Sequence, residues 1–333
     1  MLLEVVQSEL VDLMDLNLVH VPSPKFKVNE QCGAEHVHKQ RVLPRGLMGK
    51  EAAIRNQRMA SLDGDCDRLM YYVVDEANGD ALEVLDGDKQ ICLLYEFMRP
   101  YIARCEQCGV ALSIGVVQTG YANGASTSYI ERELGIKTTI TSTGVKHLHH
   151  AAKEYDLAIY FEANGHGTIL IAPSAIEKVD AALNAKKGLT VEQKDAMQFL
   201  KLMHSVSNQA IGDALADCLL VEAALYGLGW DIKRWIGIYE DRPSCLTKLK
   251  VKDRTAFKTA NAEQTCVEPK GVQEQIDAIC AKYKDSRSFV RPSGTEDCVR
   301  VYAEATTEQH ADEINLLVRR AVYDIGGGVG DRP

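Results

Sequence analysis

No run of about eighteen apolar residues occurs in the chain, so no segment of it reads as a membrane-spanning helix. The opening residues Met1-Leu2-Leu3-Glu4 lack the basic start and long apolar core of a secretory signal, and the expected compartment is cytoplasmic. Positive charge is in deficit. The 38 Lys and Arg against 47 Asp and Glu leave a net charge of −9, which argues against a nucleic-acid partner or an anionic membrane surface but leaves room for a local basic pocket. The ten cysteines form no disulfide framework. Cys66, Cys92, Cys218 and Cys298 stand in apolar or motif segments, and Cys105-Glu106-Gln107-Cys108 is a C-x-x-C without a second pair at zinc spacing, so it is read as structural. Internal repeats and low-complexity tracts are absent too. What remains is a 333-residue chain, 46% hydrophobic and 26% charged, long enough for two or three globular domains.

The most informative stretch present is Asp63-Gly64-Asp65-Cys66-Asp67-Arg68. Carboxylates at alternate positions around a flexible glycine can converge on one hard cation. An EF-hand loop starts similarly, but its sixth and twelfth positions require Gly and Glu, where this chain has Arg68 and Val74. Three carboxylates with open coordination positions suit Mg2+, which completes its shell with waters and phosphate oxygens. A shorter copy, Asp86-Gly87-Asp88, follows; a lone D-x-D is as often an acidic solvated turn.

From about Asp86 to Ala172, helical and strand-like segments alternate. Lys89–Ala103, Ser126–Leu134 and Val145–Tyr155 have helical spacing, whereas Ser113–Thr119, Thr138–Thr143 and Leu157–Phe161 are short apolar or β-branched runs. This pattern predicts a parallel α/β sheet with its loops gathered on one edge, where open sheets bind ligands. A polar, Lys-rich insertion is expected over Glu177–Lys194, then a long amphipathic helix over Ala210–Leu225. The last part reads as a small α+β domain: strands Leu246–Val251, Ser288–Arg291 and Cys298–Ala305, and helices Val272–Tyr283 and Glu308–Ile325. Ahead of the aspartates, Leu2–Leu16 has helical spacing, Val19–Val21 is a short run, and a polar stretch of little periodicity reaches Met59; an apolar strand, Leu69–Val74, follows the aspartates.

Three further loops carry chemistry. Arg291-Pro292-Ser293-Gly294-Thr295-Glu296-Asp297-Cys298-Val299-Arg300 sets a Ser-Gly-Thr turn between two arginines, an array of donors suited to a dianionic phosphate. Phe161-Glu162-Ala163-Asn164-Gly165-His166-Gly167-Thr168 offers a carboxylate and an amide to sugar hydroxyls, with His166 as proton carrier or phosphate contact; Asn-Gly is also a routine turn. Thr143-Gly144-Val145-Lys146 places Lys146 on a first helical turn as an anion contact, while His147, His149 and His150 are left unassigned between zinc ligands and surface residues. Gln118–Gly124 is another polar strand-end loop, either a helix entry or a substrate-proximal segment.

In this order, D-G-D-x-D-R, E-A-N-G-H-G and R-P-S-G-T-E-D-x-V-R resemble the metal-, sugar- and phosphate-binding loops of the α-D-phosphohexomutase superfamily. The stretches Val116–Thr119, Tyr121–Gly124, Thr143–His150 and Phe161–Gly167 narrow the resemblance to the phosphoacetylglucosamine mutases. The resemblance implies an α/β fold of phosphohexomutase-type mixed α/β domains followed by a small α+β C-terminal domain. Residues 1–85 would be part of domain 2 with the metal loop, 86–245 domain 3 with the sugar loop, and 246–333 domain 4 with the phosphate loop. It also implies reversible conversion of N-acetylglucosamine 6-phosphate to the 1-phosphate through a 1,6-bisphosphate, on the route to UDP-N-acetylglucosamine, with magnesium and an active-site phosphoserine. By motif, Asp63, Asp65 and Asp67 resemble the magnesium ligands and Arg68 the arginine beside them. Glu162, Ala163 and Asn164 match the sugar loop. Arg291, Pro292, Ser293, Gly294, Thr295 and Arg300 match the phosphate clamp, with Lys146 and His166 near the transferring group. The family's T-A-S-H-N-P-like serine loop has no counterpart here, so the expectation is an N-terminally truncated mutase with weak metal binding and no normal turnover alone. The rival expectation is a non-catalytic sugar-phosphate-binding or regulatory fragment. A magnesium-dependent phosphatase ranks lower, for want of separate hydrolase loops. The expected partners are N-acetylglucosamine phosphates; oligomeric state is not legible.

Overall fold

The computed structural model describes Asn17, Val19 and residues 27–185, 188–294 and 296–333. The helix expected over Leu2–Leu16, most of the run Val19–Val21, and Thr295 lie outside the described residues.

The first sheet is antiparallel, in the order β1 (Met59–Leu62), β2 (Leu69–Asp75), β3 (Ala81–Leu85). β2 is apolar at consecutive positions because both of its faces are covered. Leu69, Tyr71 and Val73 join the main core with the helices Gly87–Gln107 and Ala214–Leu228, and Met70, Tyr72 and Val74 join a smaller core with Ala34, Val37, Leu43 and Leu47. Burying each such side chain is worth about 1.5–3 kcal/mol, so this strand is a firm base for the aspartate loop that precedes it. The polar stretch before Met59 is not without structure. It holds the helices Ala34–Gln40 and Glu51–Ile54, the first burying only Ala34 and Val37, too short a stripe for periodicity to register.

The second sheet has the order β5-β4-β6-β7, from β4 (Ile114–Thr119), β5 (Thr138–Thr141), β6 (Leu157–Phe161) and β7 (Gly167–Ile171). β4, β5 and β6 are parallel, with the helices Gly124–Arg132 and Val145–Ala152 between them in the chain. The expected parallel arrangement holds for these three strands, and β7, which was not read from the sequence, adds to β6 antiparallel. A parallel return needs a crossover of about a dozen residues, and residues 162–166 span only a hairpin. The Lys-rich stretch expected as a polar insertion over Glu177–Lys194 is instead mostly helical, shared between Pro173–Ala185 and the start of Val191–Val206. Ala175, Val179 and Ala182 supply the buried stripe of the first of these helices. The next helix begins at Ala214 rather than Ala210, capped by the Asp213 carboxylate on the Ala216 N–H.

The C-terminal unit is an antiparallel sheet in the order β11-β12-β8, from β8 (Ser244–Lys250), β11 (Arg287–Pro292) and β12 (Cys298–Glu304). Its own core gathers Leu249, Val290, Val299 and Val301 with the helices Val272–Cys280 and Glu308–Gly326. A two-stranded ribbon, β9 (Lys258–Ala260) and β10 (Thr265–Glu268), was not foreseen from the sequence. The loop 118–124 is a joint between the units: Arg287 of β11 donates to the Gly120 carbonyl at 3.1 Å, and Glu304 of β12 accepts from the Gly124 N–H at 2.9 Å.

Candidate active site

The aspartate loop folds on its own hydrogen bonds. Asp63 Oδ1 accepts from the N–H groups of Asp67 (3.1 Å) and Arg68 (3.0 Å), and Cys66 takes a left-handed φ of 62° to close the turn. One oxygen each from Asp63, Asp65 and Asp67 then lies within 4.8 Å of the others. Burial, together with repulsion from Asp67 and Asp65, raises the Asp63 carboxyl above its ordinary range. Arg68 Nε stands 3.6 Å from Asp63 Oδ2 and 3.7 Å from Asp67 Oδ1, too far to hydrogen-bond. Asp67 Oδ1 is buried without a hydrogen-bond partner. An all-oxygen set with an orphaned carboxylate oxygen and with Asp65 open to solvent is the donor chemistry of a hard divalent cation, and the residues fit magnesium. The shorter acidic copy differs. Asp86 caps the helix Gly87–Gln107, and buried Asp88 accepts from the Gln118 side chain and the Asn123 N–H, both at 2.7 Å, so it is a structural brace.

The β6–β7 hairpin docks against this loop. His166 pairs with Arg68 in an isolated bridge, its Nε2 is 3.7 Å from Asp67 Oδ2, and the Leu69 N–H donates to the Gly165 carbonyl at 3.0 Å. Gly165 has φ 84°, and a Cβ there would lie 2.0 Å from the Leu69 carbonyl oxygen, so only glycine fits. Within the hairpin, Asn164 Oδ1 accepts from the His166 N–H at 3.0 Å, and Asn164 Nδ2 donates to Glu162 Oε2 at 3.3 Å. Glu162 Oε1 accepts from the Gly144 N–H at 3.0 Å. A buried carboxylate and a part-buried amide in mutual contact form a polar pair that hydroxyl groups can join.

The third motif spans the strand pair β11–β12. Arg291 is directly opposite Arg300, and Arg300 is directly opposite Lys248 on β8, so three cations share one face at one level of the sheet. Like charges directly opposite are unfavourable, and an anion above them offsets the cost. Lys248, absent from the sequence reading, already holds Glu296 at 2.8 Å. Ser293 is buried at the end of β11, with its N–H on the Cys298 carbonyl, and Gly294 has open space around it.

A residue that sequence reasoning missed joins these parts. Glu263, in the β9–β10 turn, accepts from Arg291 Nε at 2.9 Å and from the Thr143 N–H at 3.0 Å. Burial raises its pKa, but Thr143 and Arg291 outweigh that and hold the carboxyl below its ordinary value. Asn261, Ala262 and Glu263 are successively left-handed, a strained turn that nothing in the local composition announces. Contacts therefore run unbroken from Asp67 through His166, Asn164, Glu162, Gly144 and Thr143, and Glu263 to Arg291. Lys146 is exposed at the head of its helix and has no polar partner among the described residues. The histidines do not converge: His149 hydrogen-bonds the Tyr160 hydroxyl at 2.8 Å, and His147 and His150 are exposed. Asn123 and Gln118 serve as cap and brace rather than facing a ligand.

Comparison with known proteins agrees with this geometry. The family described as phosphoacetylglucosamine mutase AMG1, domain III, matches residues 86–230, and the phosphoglucomutase/phosphomannomutase C-terminal domain matches residues 246–321. Phosphoacetylglucosamine mutase of Sus scrofa is 44% identical over 312 residues, covering 93% of this chain and 55% of the relative. Phosphoacetylglucosamine mutase 1 of Schizosaccharomyces pombe is 44% identical over 313 residues, covering 94% and 58%. The crystal structure of Aspergillus fumigatus N-acetylphosphoglucosamine mutase with GlcNAc-6P and magnesium superposes with a TM-score of 0.81 at 43% identity, covering 90% of this chain and 54% of that one. The chain thus spans about half the length of the curated relatives it matches. With the aspartate loop, the β6–β7 hairpin and the arginine-flanked turn in one connected site, the chain belongs to the phosphoacetylglucosamine mutase family of the α-D-phosphohexomutase superfamily.

Proposed function

We propose that this chain supplies the metal, sugar and phosphate loops of a phosphoacetylglucosamine mutase, interconverting N-acetylglucosamine 6-phosphate and 1-phosphate through a 1,6-bisphosphate, on the cytoplasmic route to UDP-N-acetylglucosamine. The division 1–85, 86–245 and 246–333 belongs to the same reading. One observation carries it: the unbroken contacts from Asp67 to Arg291, which tie a cation-binding loop to an anion-binding turn through a polar hairpin.

Arg291, Ser293, Gly294, Thr295 and Arg300 would clamp the phosphate that does not react, and Glu162 and Asn164 would hold sugar hydroxyls between the two ends. Asp63, Asp65 and Asp67 would hold Mg2+, which when bound neutralises charge on the transferring phosphoryl group. Arg68, Lys146 and His166 would surround that group. Phosphoryl transfer needs positioning and charge stabilisation more than covalent help from the protein. Holding the far phosphate lets the bisphosphate be recognised in either orientation. The family's phosphoryl donor is a phosphoserine, and no matching serine loop stands in these 333 residues. This predicts that the chain binds sugar phosphate but turns over only when a serine loop is restored.

The test is coupled mutase activity on N-acetylglucosamine 6-phosphate with magnesium and catalytic 1,6-bisphosphate, for this chain beside one extended upstream with a serine loop. Activity in the extended chain alone is expected. Activity in the short chain would refute the account of the donor, and tight substrate binding without turnover in either chain would favour a non-catalytic sugar-phosphate-binding protein.

A further inference from the structure

A cavity of about 620 Å³ shares no lining residue with the loops described above. We propose that it is a second anion site, shaped for a small molecule that carries two or more phosphate groups. Its walls include Arg99 from the helix Gly87–Gln107, Tyr129 and Arg132 from the helix Gly124–Arg132, and Arg234, Tyr239 and Arg242 from the segment that leads into β8. Four guanidiniums thus face two carboxylates, Glu96 and Glu133, a local excess of positive charge in a chain whose net charge is −9.

The charges are not all spoken for. Glu96 is engaged by Arg99 at 3.0 Å and by the Tyr129 hydroxyl at 2.9 Å, and Arg242 lies 3.6 Å from Glu304. Arg132 and Arg234 have no carboxylate partner among the described residues. Arg234 stands 5.1 Å over the Trp230 ring, which restricts its planar fork. Guanidinium forks bind phosphate oxygens in pairs and are weakly hydrated, so clusters of them favour phosphate over a lone carboxylate. The volume is typical of a small-molecule site and larger than one phosphate needs. Tyr129 and Tyr239, with ring centroids 5.9 Å apart, offer walls for a ring-bearing portion of the ligand. Gly237, Ile238, Tyr239 and Arg242 belong to the lining, and Arg242 also hydrogen-bonds Asn123 through its backbone, so an occupant would be felt at the joint between the units.

The test is calorimetric titration with inorganic pyrophosphate and with ADP. It uses the wild-type chain, the Arg132→Ala/Arg234→Ala variant and the Arg291→Ala/Arg300→Ala variant. The proposal expects probe binding to persist in Arg291→Ala/Arg300→Ala and to weaken at least about tenfold in Arg132→Ala/Arg234→Ala, as for loss of two charge-assisted contacts. Binding of N-acetylglucosamine 6-phosphate should be unchanged in the latter. Probe binding lost in Arg291→Ala/Arg300→Ala, or equal in Arg132→Ala/Arg234→Ala and wild type, overturns it. Hydrogen exchange on the wild-type chain reads location without any variant: pyrophosphate should protect residues 237–242, and an unchanged rate there also overturns the site. None of these outcomes depends on mutase activity.

Discussion

Glu263→Ala is the sharpest perturbation of the connected site, because one carboxylate there holds two loops. The Arg291–Glu263 pair is 2.9 Å long with side chains 20% and 22% exposed, shielded enough for its charge to count. A hydrogen bond to a charged group contributes about 1.5–3 kcal/mol. Truncation frees Arg291 and leaves the Thr143 N–H without its acceptor. A ligand that bridges the arginine turn and the Glu162 hairpin depends on both being in register, so Glu263→Ala should weaken N-acetylglucosamine 6-phosphate roughly ten- to hundredfold. Inorganic phosphate touches only one end and should lose less than about threefold. Glu263→Gln keeps an oxygen for the Thr143 N–H and should fall between wild type and Glu263→Ala. Titration calorimetry of both ligands against the three proteins, with Tm as the folding control, decides the matter. Equal losses for the two ligands would make Glu263 a general stabiliser, and tighter phosphate binding in Glu263→Ala would make it a competitor for Arg291; either result refutes the positioning role.

Other outcomes follow from single features of the site and its surroundings. Asp65→Asn removes the negative charge of an exposed oxygen ligand, so Mn2+ affinity read by electron paramagnetic resonance should fall at least about tenfold with Tm nearly unchanged; retained affinity would place the cation elsewhere. Gly165→Ala meets both a positive φ and the Leu69 carbonyl, and should cost about 2–4 kcal/mol in urea unfolding; a cost below 0.5 kcal/mol would show the hairpin to be free of β2. Asp241 is held up to about 6, first by burial and then by Asp86, with Lys89 and Arg41 opposing. Its folded-state pKa lies above the unfolded one, so its contribution is full below about pH 4 and is lost as pH rises through 6, a change of about 3 kcal/mol at most. Asp241→Asn should therefore raise stability relative to wild type at pH 8, with the advantage fading by pH 4; a gap constant with pH would remove the group from the account.

The elements that could be read from sequence were those whose pattern is set by one core. β6 is buried at every position, and the helix Gly87–Gln107 buries a long apolar face, so their runs announce them. β7 was not read from the sequence, and its sense is fixed by the short connection from β6 rather than by its own apolar run. Pro173–Ala185 was missed because its buried stripe, Ala175, Val179 and Ala182, is made of small residues that give a weak apolar signal. In the candidate site, the aspartates, the Glu162 hairpin and the two arginines could be picked out from the sequence because each group lies close together in the chain. Glu263 and Lys248 could not, because each acts on partners distant in the chain: Glu263 reaches Thr143, 120 positions away, and Lys248 meets Arg300 only through strand pairing.

Burial separates two of the contacts that hold the C-terminal unit. Glu304 is fully buried and accepts from the Gly124 N–H at 2.9 Å, from Arg287 at 3.0 Å and from the Tyr302 hydroxyl at 2.9 Å. Stripping one partner from a buried charge costs about 3–5 kcal/mol, so this grip does not open in the folded protein. The Glu263–Arg291 contact is partly exposed, and its loss costs less, about 1.5–3 kcal/mol. The C-terminal unit is thus held more firmly at the 118–124 loop than at Arg291.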